Sequence, residues 1–87
     1  MPYFVVLLET IAGVEPTQNQ RRSHLDHLAS LKARGILFAS GRFKDGSGGL
    51  YILEAKNIEE ARSLAESDPY VKFGLRRCTV KEWDRVY

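Results

Sequence analysis

Two stretches of this chain carry side chains whose chemistry exceeds what a small domain needs in order to fold. One is Arg21-Arg22-Ser23-His24, continuing through Leu25-Asp26-His27-Leu28; the other is Asp68-Pro69-Tyr70. Imidazole is the side chain best suited to moving protons near neutral pH, so His24 and His27 are the candidate acid/base groups. Asp68 admits two readings. Aspartate is a preferred helix N-cap and proline is favoured at the first helical position, so a single helical turn over residues 69–74 would follow naturally. The same carboxylate could also be half of a reactive pair whose other member lies elsewhere in the chain.

The elements that carry these groups decide what they face. Residues 17–34 read as an amphipathic helix closed by Gly35. At about 100° per residue, Leu25, Leu28 and Leu31 span an arc of roughly 120° that must face the core. Measured from Leu28 at the centre of that arc, Arg21 lies about 20° away, His24 about 40°, His27 about 100° and Asp26 about 160°. The first turns of the buried stripe thus carry Arg and His where leucines are expected. Unpaired polar groups are costly to bury. Either this end of the helix lines a cavity, or His24 bonds a backbone carbonyl at the edge of the core. Periodicity leaves both open. His27, on the border of the polar face, is expected in solvent, and Ser23 points about 100° away from His24.

Around this helix, residues 3–9 read as a first strand and residues 36–43 as a second. A glycine-rich hairpin over 44–49 leads into a third strand, 49–55. A second helix over 57–67 has Asn57 as its cap and Glu60 at capping-box spacing, and residues 75–83 form the last strand. The order β-α-β-β-α-β is the split βαβ, or ferredoxin-like, arrangement: an α+β fold with two helices on one face of a four-stranded antiparallel sheet. Residues 3–8 and 36–39 are apolar at every position, so both faces of the sheet are apolar there. Two helices cover only one face. The other is expected to pack against a second copy, as a sheet-to-sheet homodimer or a higher oligomer.

Composition narrows the function classes. Eighty-seven residues make one domain, 1–87, and a 44% hydrophobic content allows it a core. The net charge is +2, and the basic residues are scattered apart from Arg21 with Arg22 and Arg76 with Arg77. That is not the basic stripe of a nucleic-acid binder. The single cysteine, Cys78, excludes an intrachain disulfide and a cysteine-built zinc site; in phase with Val80, it reads as a buried structural thiol. No apolar run approaches the roughly 18 residues of a membrane span, and no basic n-region precedes the first strand. A cytoplasmic protein with no membrane partner is expected.

Several motifs taken in order resemble a known family. Arg21-x-x-His24-Leu25-x-x-Leu28, then Gly35-x-Leu37, Ser40-Gly41 and Asp68-Pro69-Tyr70-Val71, ahead of a strand ending near Trp83, are similar to the YciI-like (YCII-related) family. The similarity runs from Tyr3 to Trp83. It implies a ferredoxin-like fold that dimerises through its sheets, a dimeric α+β barrel. It also implies a cleft in which His24 and Asp68 form a catalytic pair, with Arg21 at the wall; Ser40, at a strand end near that cleft and first of all a polar lining group, and Tyr70 are expected among the substrate contacts. In such a pair the carboxylate fixes the imidazole tautomer and stabilises its protonated form, leaving the other ring nitrogen as general base. Degradation of small aromatic compounds occurs in the family. A base without a nucleophile suits elimination, isomerisation or dehalogenation of a small oxygenated ring. Relatives often have Gly-Pro where this chain has Gly41-Arg42, and a longer connection between strands two and three. Arg42 therefore joins the expected substrate contacts and favours an anionic ligand, since guanidinium suits a carboxylate.

Other classes fare less well. His24 and His27 diverge by about 60° on the helix, and no fixed spacing marks further ligands, so neither a metal nor a cofactor is expected. An RNA-binding sheet would carry stacking aromatics on its third strand, where residues 49–55 offer Tyr51 alone. Gly46-Ser47-Gly48-Gly49 lacks the Gly-Lys-Ser/Thr of a phosphate loop. The serious rival to an enzyme is a non-catalytic small-ligand-binding or interaction domain using the same cleft. An enzyme returns its ligand chemically changed; a binding module returns it unaltered.

Overall fold

In a computed structural model describing residues 1–87, the first apolar run forms β1 (Tyr3–Thr10), a central strand of a four-stranded sheet ordered β2-β3-β1-β4. It pairs antiparallel with β3 (Gly48–Glu54) on one side and β4 (Arg76–Trp83) on the other, Val6 lying opposite both Tyr51 and Val80. Alternate residues of β1 face opposite ways. Phe4, Val6 and Leu8 are buried beneath the helices, whereas Tyr3, Val5 and Leu7 stay half-buried on the open face. The ferredoxin-like α+β arrangement with helices on one face is as expected. One short helix is added before β4.

The helices start and stop where their end residues dictate. α1 (Gln18–Ala33) is opened by a full capping box that sequence spacing had not singled out. Thr17 Oγ1 accepts the Gln20 N–H at 3.1 Å and Gln20 Oε1 accepts the Thr17 N–H at 2.8 Å. Gly35, at φ +73°, closes it: the Gly35 and Ile36 N–H groups return to the Lys32 and Leu31 carbonyls. α2 (Ile58–Glu66) has Asn57 as its cap, but the box there is half made. Glu60 reaches the N–H of Lys56, not that of Asn57. α3 (Pro69–Lys72) is the expected single turn.

Two details depart from the sequence reading. Leu25, expected to face the sheet, is 56% exposed, while His27, expected in solvent, is partly buried. The inward face of α1 is centred among His24, Leu28 and Leu31, about 50° round from Leu28. α1 packs against α3 as well as β2, and this turns it toward the histidines. The second departure is in β2 (Leu37–Arg42), whose register against β3 shifts between Leu37 and Ala39. The irregularity takes up Phe38, so that Leu37, Ser40 and Arg42 all share the helix-covered side opposite Leu53, Tyr51 and Gly49. Strict alternation from Leu37 would have turned Ser40 and Arg42 to the open face.

That open face carries Val5, Leu7, Leu50 and Ile52, half-buried, with Phe38 and Trp83 more exposed. Tyr3 packs edge-on against Phe38 and Trp83, at ring-centroid distances of 5.2 and 6.2 Å. Trp83 ends β4, and Tyr87 is fully exposed beyond it. No helix is long and apolar enough to cross a membrane.

Candidate active site

Asp68 is both a helix cap and a contact of His24. As the N-cap of α3, ahead of Pro69, it accepts the Tyr70 N–H on Oδ1 at 2.9 Å. Nδ1 of His24 lies 2.8 Å from Oδ1 and 2.9 Å from Oδ2. The Tyr51 hydroxyl donates to Oδ2 at 3.0 Å. Asp68 is 0% exposed, and no buried side-chain polar atom of the chain is without a partner. A carboxylate only accepts, so with three donors converging on it Nδ1 of His24 carries the proton. Nε2, on the other edge of the ring, has no hydrogen-bond partner within the chain. Burial, and then the neighbouring Asp68 charge, push the Tyr51 hydroxyl well above its ordinary range, which keeps it a donor.

His24 is held in a second direction. Its ring lies parallel to that of Tyr70, centroids 3.9 Å apart and planes 2° from parallel. The Arg76 guanidinium also sits over Tyr70, 5.1 Å from the ring centroid, and donates to the Leu75 carbonyl at 2.9 Å. His27 does what the blander reading had offered for His24: Nε2 bonds the Leu64 carbonyl at 3.1 Å and ties α1 to α2.

His24 and Tyr70 stand at the wall of a cleft of about 790 Å³ between α1 and one end of the sheet. Arg21, Ser40 and Arg42 line it as well, so the sequence-expected residues converge there, with Asp68 beneath the surface. The sequence reading missed Tyr51, Lys44 and Arg76 as members of the site. For Tyr51 and Arg76 a signal existed, because each alternates in phase with an inward-facing residue of its strand, buried Leu53 and half-buried Val80. Arg21, Arg42, Lys44 and Arg76 bring four cations to the cleft; no carboxylate residue lines it, and none of the four is in a salt bridge. Cys78 lies apart from this cleft and is half-buried, less enclosed than expected. Burial chiefly, with the Asp68 and Glu66 charges adding, pushes its thiol up.

A split βαβ sheet with an aspartate-held histidine at the mouth of a cationic cleft defines a class of small α+β domain, and comparison with known proteins places the chain within it. It belongs to the YCII-related domain family, which it matches over residues 1–84. It is 34% identical over 80 residues to the uncharacterized protein YjpA of Bacillus subtilis (strain 168), covering 92% of this chain and 94% of that one. Among solved structures it is similar to 5-chloro-2-hydroxyhydroquinone dehydrochlorinase (TftG) of Burkholderia phenoliruptrix AC1100, in complex with 2,5-dihydroxybenzoquinone. The TM-score is 0.70 at 26% identity, covering 94% of this chain and 93% of that one. An enzyme thus exists on this fold.

Proposed function

We propose that this protein is an acid/base enzyme acting on a small, anionic, oxygenated ring, by elimination, isomerisation or dehalogenation. The observation that carries the reading is the setting of His24: Nδ1 lies 2.8 Å from a fully buried carboxylate, Nε2 has no partner within the chain, and the residue lines a ligand-sized cleft. Nε2 takes a proton from a substrate hydroxyl or an acidic ring carbon. The electron pair left behind either shifts a double bond or expels a halide, and the imidazolium, stabilised by Asp68, then gives the proton to the rearranged ring or to solvent. Arg21, Ser40, Arg42 and Tyr70 are assigned to substrate binding, Arg21 and Arg42 as partners of anionic oxygen. Proton transfer with loss of an anion calls for no cofactor. The dehydrochlorinase with its dihydroxybenzoquinone ligand supports the choice of ring.

The apolar open face supports a homodimer formed through Val5, Leu7 and Ile52, with Phe38 and Trp83 at its margin. The lone free thiol of Cys78 fits a reducing cytoplasm. The test of function is turnover of halogenated and unhalogenated hydroxyhydroquinones by the parent protein and by His24→Ala. Loss of the general base lowers kcat by roughly 10²–10⁴. Parent-rate turnover by His24→Ala would end the acid/base reading. Binding followed by recovery of unaltered ligand would instead make the cleft that of a binding module.

A further inference from the structure

The distribution of charge around the cleft defines its ligand more narrowly. The chain carries a net charge of +2, yet four cations and no carboxylate residue line this one space. Asp68 does not offset them as a ligand-facing group, being fully buried and engaged with three donors. Arg76 is partly buried and held in place by the Tyr70 ring and the Leu75 carbonyl, with no acidic partner. A partly desolvated guanidinium held over the ring on which the imidazole stacks, with no acidic partner, favours an anion.

Three of the four cations form two separate poles. Arg76 opens β4, at one edge of the sheet, next to the Tyr70 and His24 stack. Arg42 ends β2 at the other edge, and Lys44 follows it in the hairpin. With β3 and β1 between them, the Cα positions of Arg42 and Arg76 are about 15 Å apart. Their long side chains then bracket a molecule the size of one ring. Gly49, opposite Arg42, is bare by necessity: a Cβ there would lie 2.5 Å from the Gly41 carbonyl oxygen. The floor between the poles therefore carries no side chain at that point.

We propose that the ligand of this cleft is a small dianion with its anionic groups at opposite ends, one on Arg76 beside His24 and the other on Arg42 and Lys44. The proposal rests on the reading of this cleft as the substrate site and adds the charge pattern of the substrate. Three probes of one ring size separate the cases: benzoate, with a single charge, terephthalate, with charges at opposite ends, and phthalate, with both at one end. In NMR titrations at low salt, terephthalate binds at least about tenfold more tightly than the other two, each tenfold being one decade in Kd. The double substitution Arg42→Gln/Lys44→Gln, at two exposed positions, removes that advantage and brings terephthalate down to the benzoate level. Arg76→Gln weakens all three. Equal binding of terephthalate and benzoate, terephthalate binding unmoved by the double substitution, or no binding of any probe by the folded protein overturns the proposal. The two readings fail separately. A terephthalate preference without turnover leaves the dianion in place, and turnover without that preference leaves the role of His24 untouched.

Discussion

Replacing Asp68 with asparagine changes one atom and inverts the logic of the site. The carboxylate accepts from the Tyr70 N–H, the Tyr51 hydroxyl and Nδ1–H of His24, with both oxygens within 2.9 Å of Nδ1. An amide has one accepting oxygen. If that oxygen keeps the Tyr70 N–H, so that the turn survives, the amide NH₂ faces Tyr51 and His24. The Tyr51 hydroxyl can rotate to accept; Nδ1, 2.8 Å from the retained oxygen and 2.9 Å from the new N–H, meets a second donor for as long as it keeps its proton, and the Nε2–H tautomer removes that clash. Nε2 is then no longer a base. The expected loss in kcat is roughly 10²–10⁴, that of removing general-base catalysis, with KM little changed because Asp68 does not reach the cleft. Stability falls by only about 1–3 kcal/mol, since the buried network is rearranged rather than emptied. Imidazole ¹⁵N shifts report the tautomer directly and need no substrate. Asp68→Asn with Nδ1–H still protonated and kcat at the parent level would refute the argument from donors and acceptors.

Tyr51 gives a pH test. Its hydroxyl ionises far above the ordinary 10.0 in the folded protein, chiefly through burial, so above that pH the unfolded chain loses a proton that the folded one keeps. Its contribution to stability is complete below pH 10 and declines above it, by about 1.4 kcal/mol per pH unit; urea midpoints of the parent and Tyr51→Phe should converge between pH 10 and 11, and parallel curves would contradict this. His27→Ala leaves the Leu64 carbonyl unpaired, lowering stability by about 1 kcal/mol with kcat unchanged; a folded variant without activity would give His27 a role beyond joining two helices. Sedimentation equilibrium should find the parent protein dimeric and Leu7→Asp, at the centre of the open face, monomeric. A monomeric parent would remove the open face as an interface.

The order of elements was legible in the sequence because each boundary carries its own chemistry. Gly35 and Gly74 sit at positive φ where helices reverse, Asn57 caps α2, and the apolar runs mark the strands. His24 was visible because it interrupts a leucine stripe, and Asp68 because a cap followed by proline fixes a carboxylate in place. The rotation of α1 was not visible. Leu25 and His27 compete for the inward face, and contact with α3, remote in sequence, decides between them. The β2 irregularity was equally hidden: nothing in Leu37-Phe38-Ala39 marks where the register slips, yet the slip turns Ser40 and Arg42 into the cleft. Arg76 reads as one of a surface pair until strand phase is counted back from Val80.

Much of the site depends on one short segment, residues 68–76, in which local folding and chemistry use the same contacts. The cap binds the Asp68 carboxylate to the backbone N–H of Tyr70, so the acceptor for His24 is set by main-chain geometry and not by a free rotamer. The single turn it starts brings the Tyr70 ring under the imidazole. Gly74, at φ +67°, then reverses the chain, with the Leu75 N–H returning to the Tyr70 carbonyl, and this delivers Arg76 onto the same ring. Acceptor, stacking surface and guanidinium are therefore spaced by one closed turn. Lengthening that turn by a residue would leave the caps of α1 and α2 intact while separating Arg76 from Tyr70. On this reasoning such an insertion costs ligand binding well before it costs the fold.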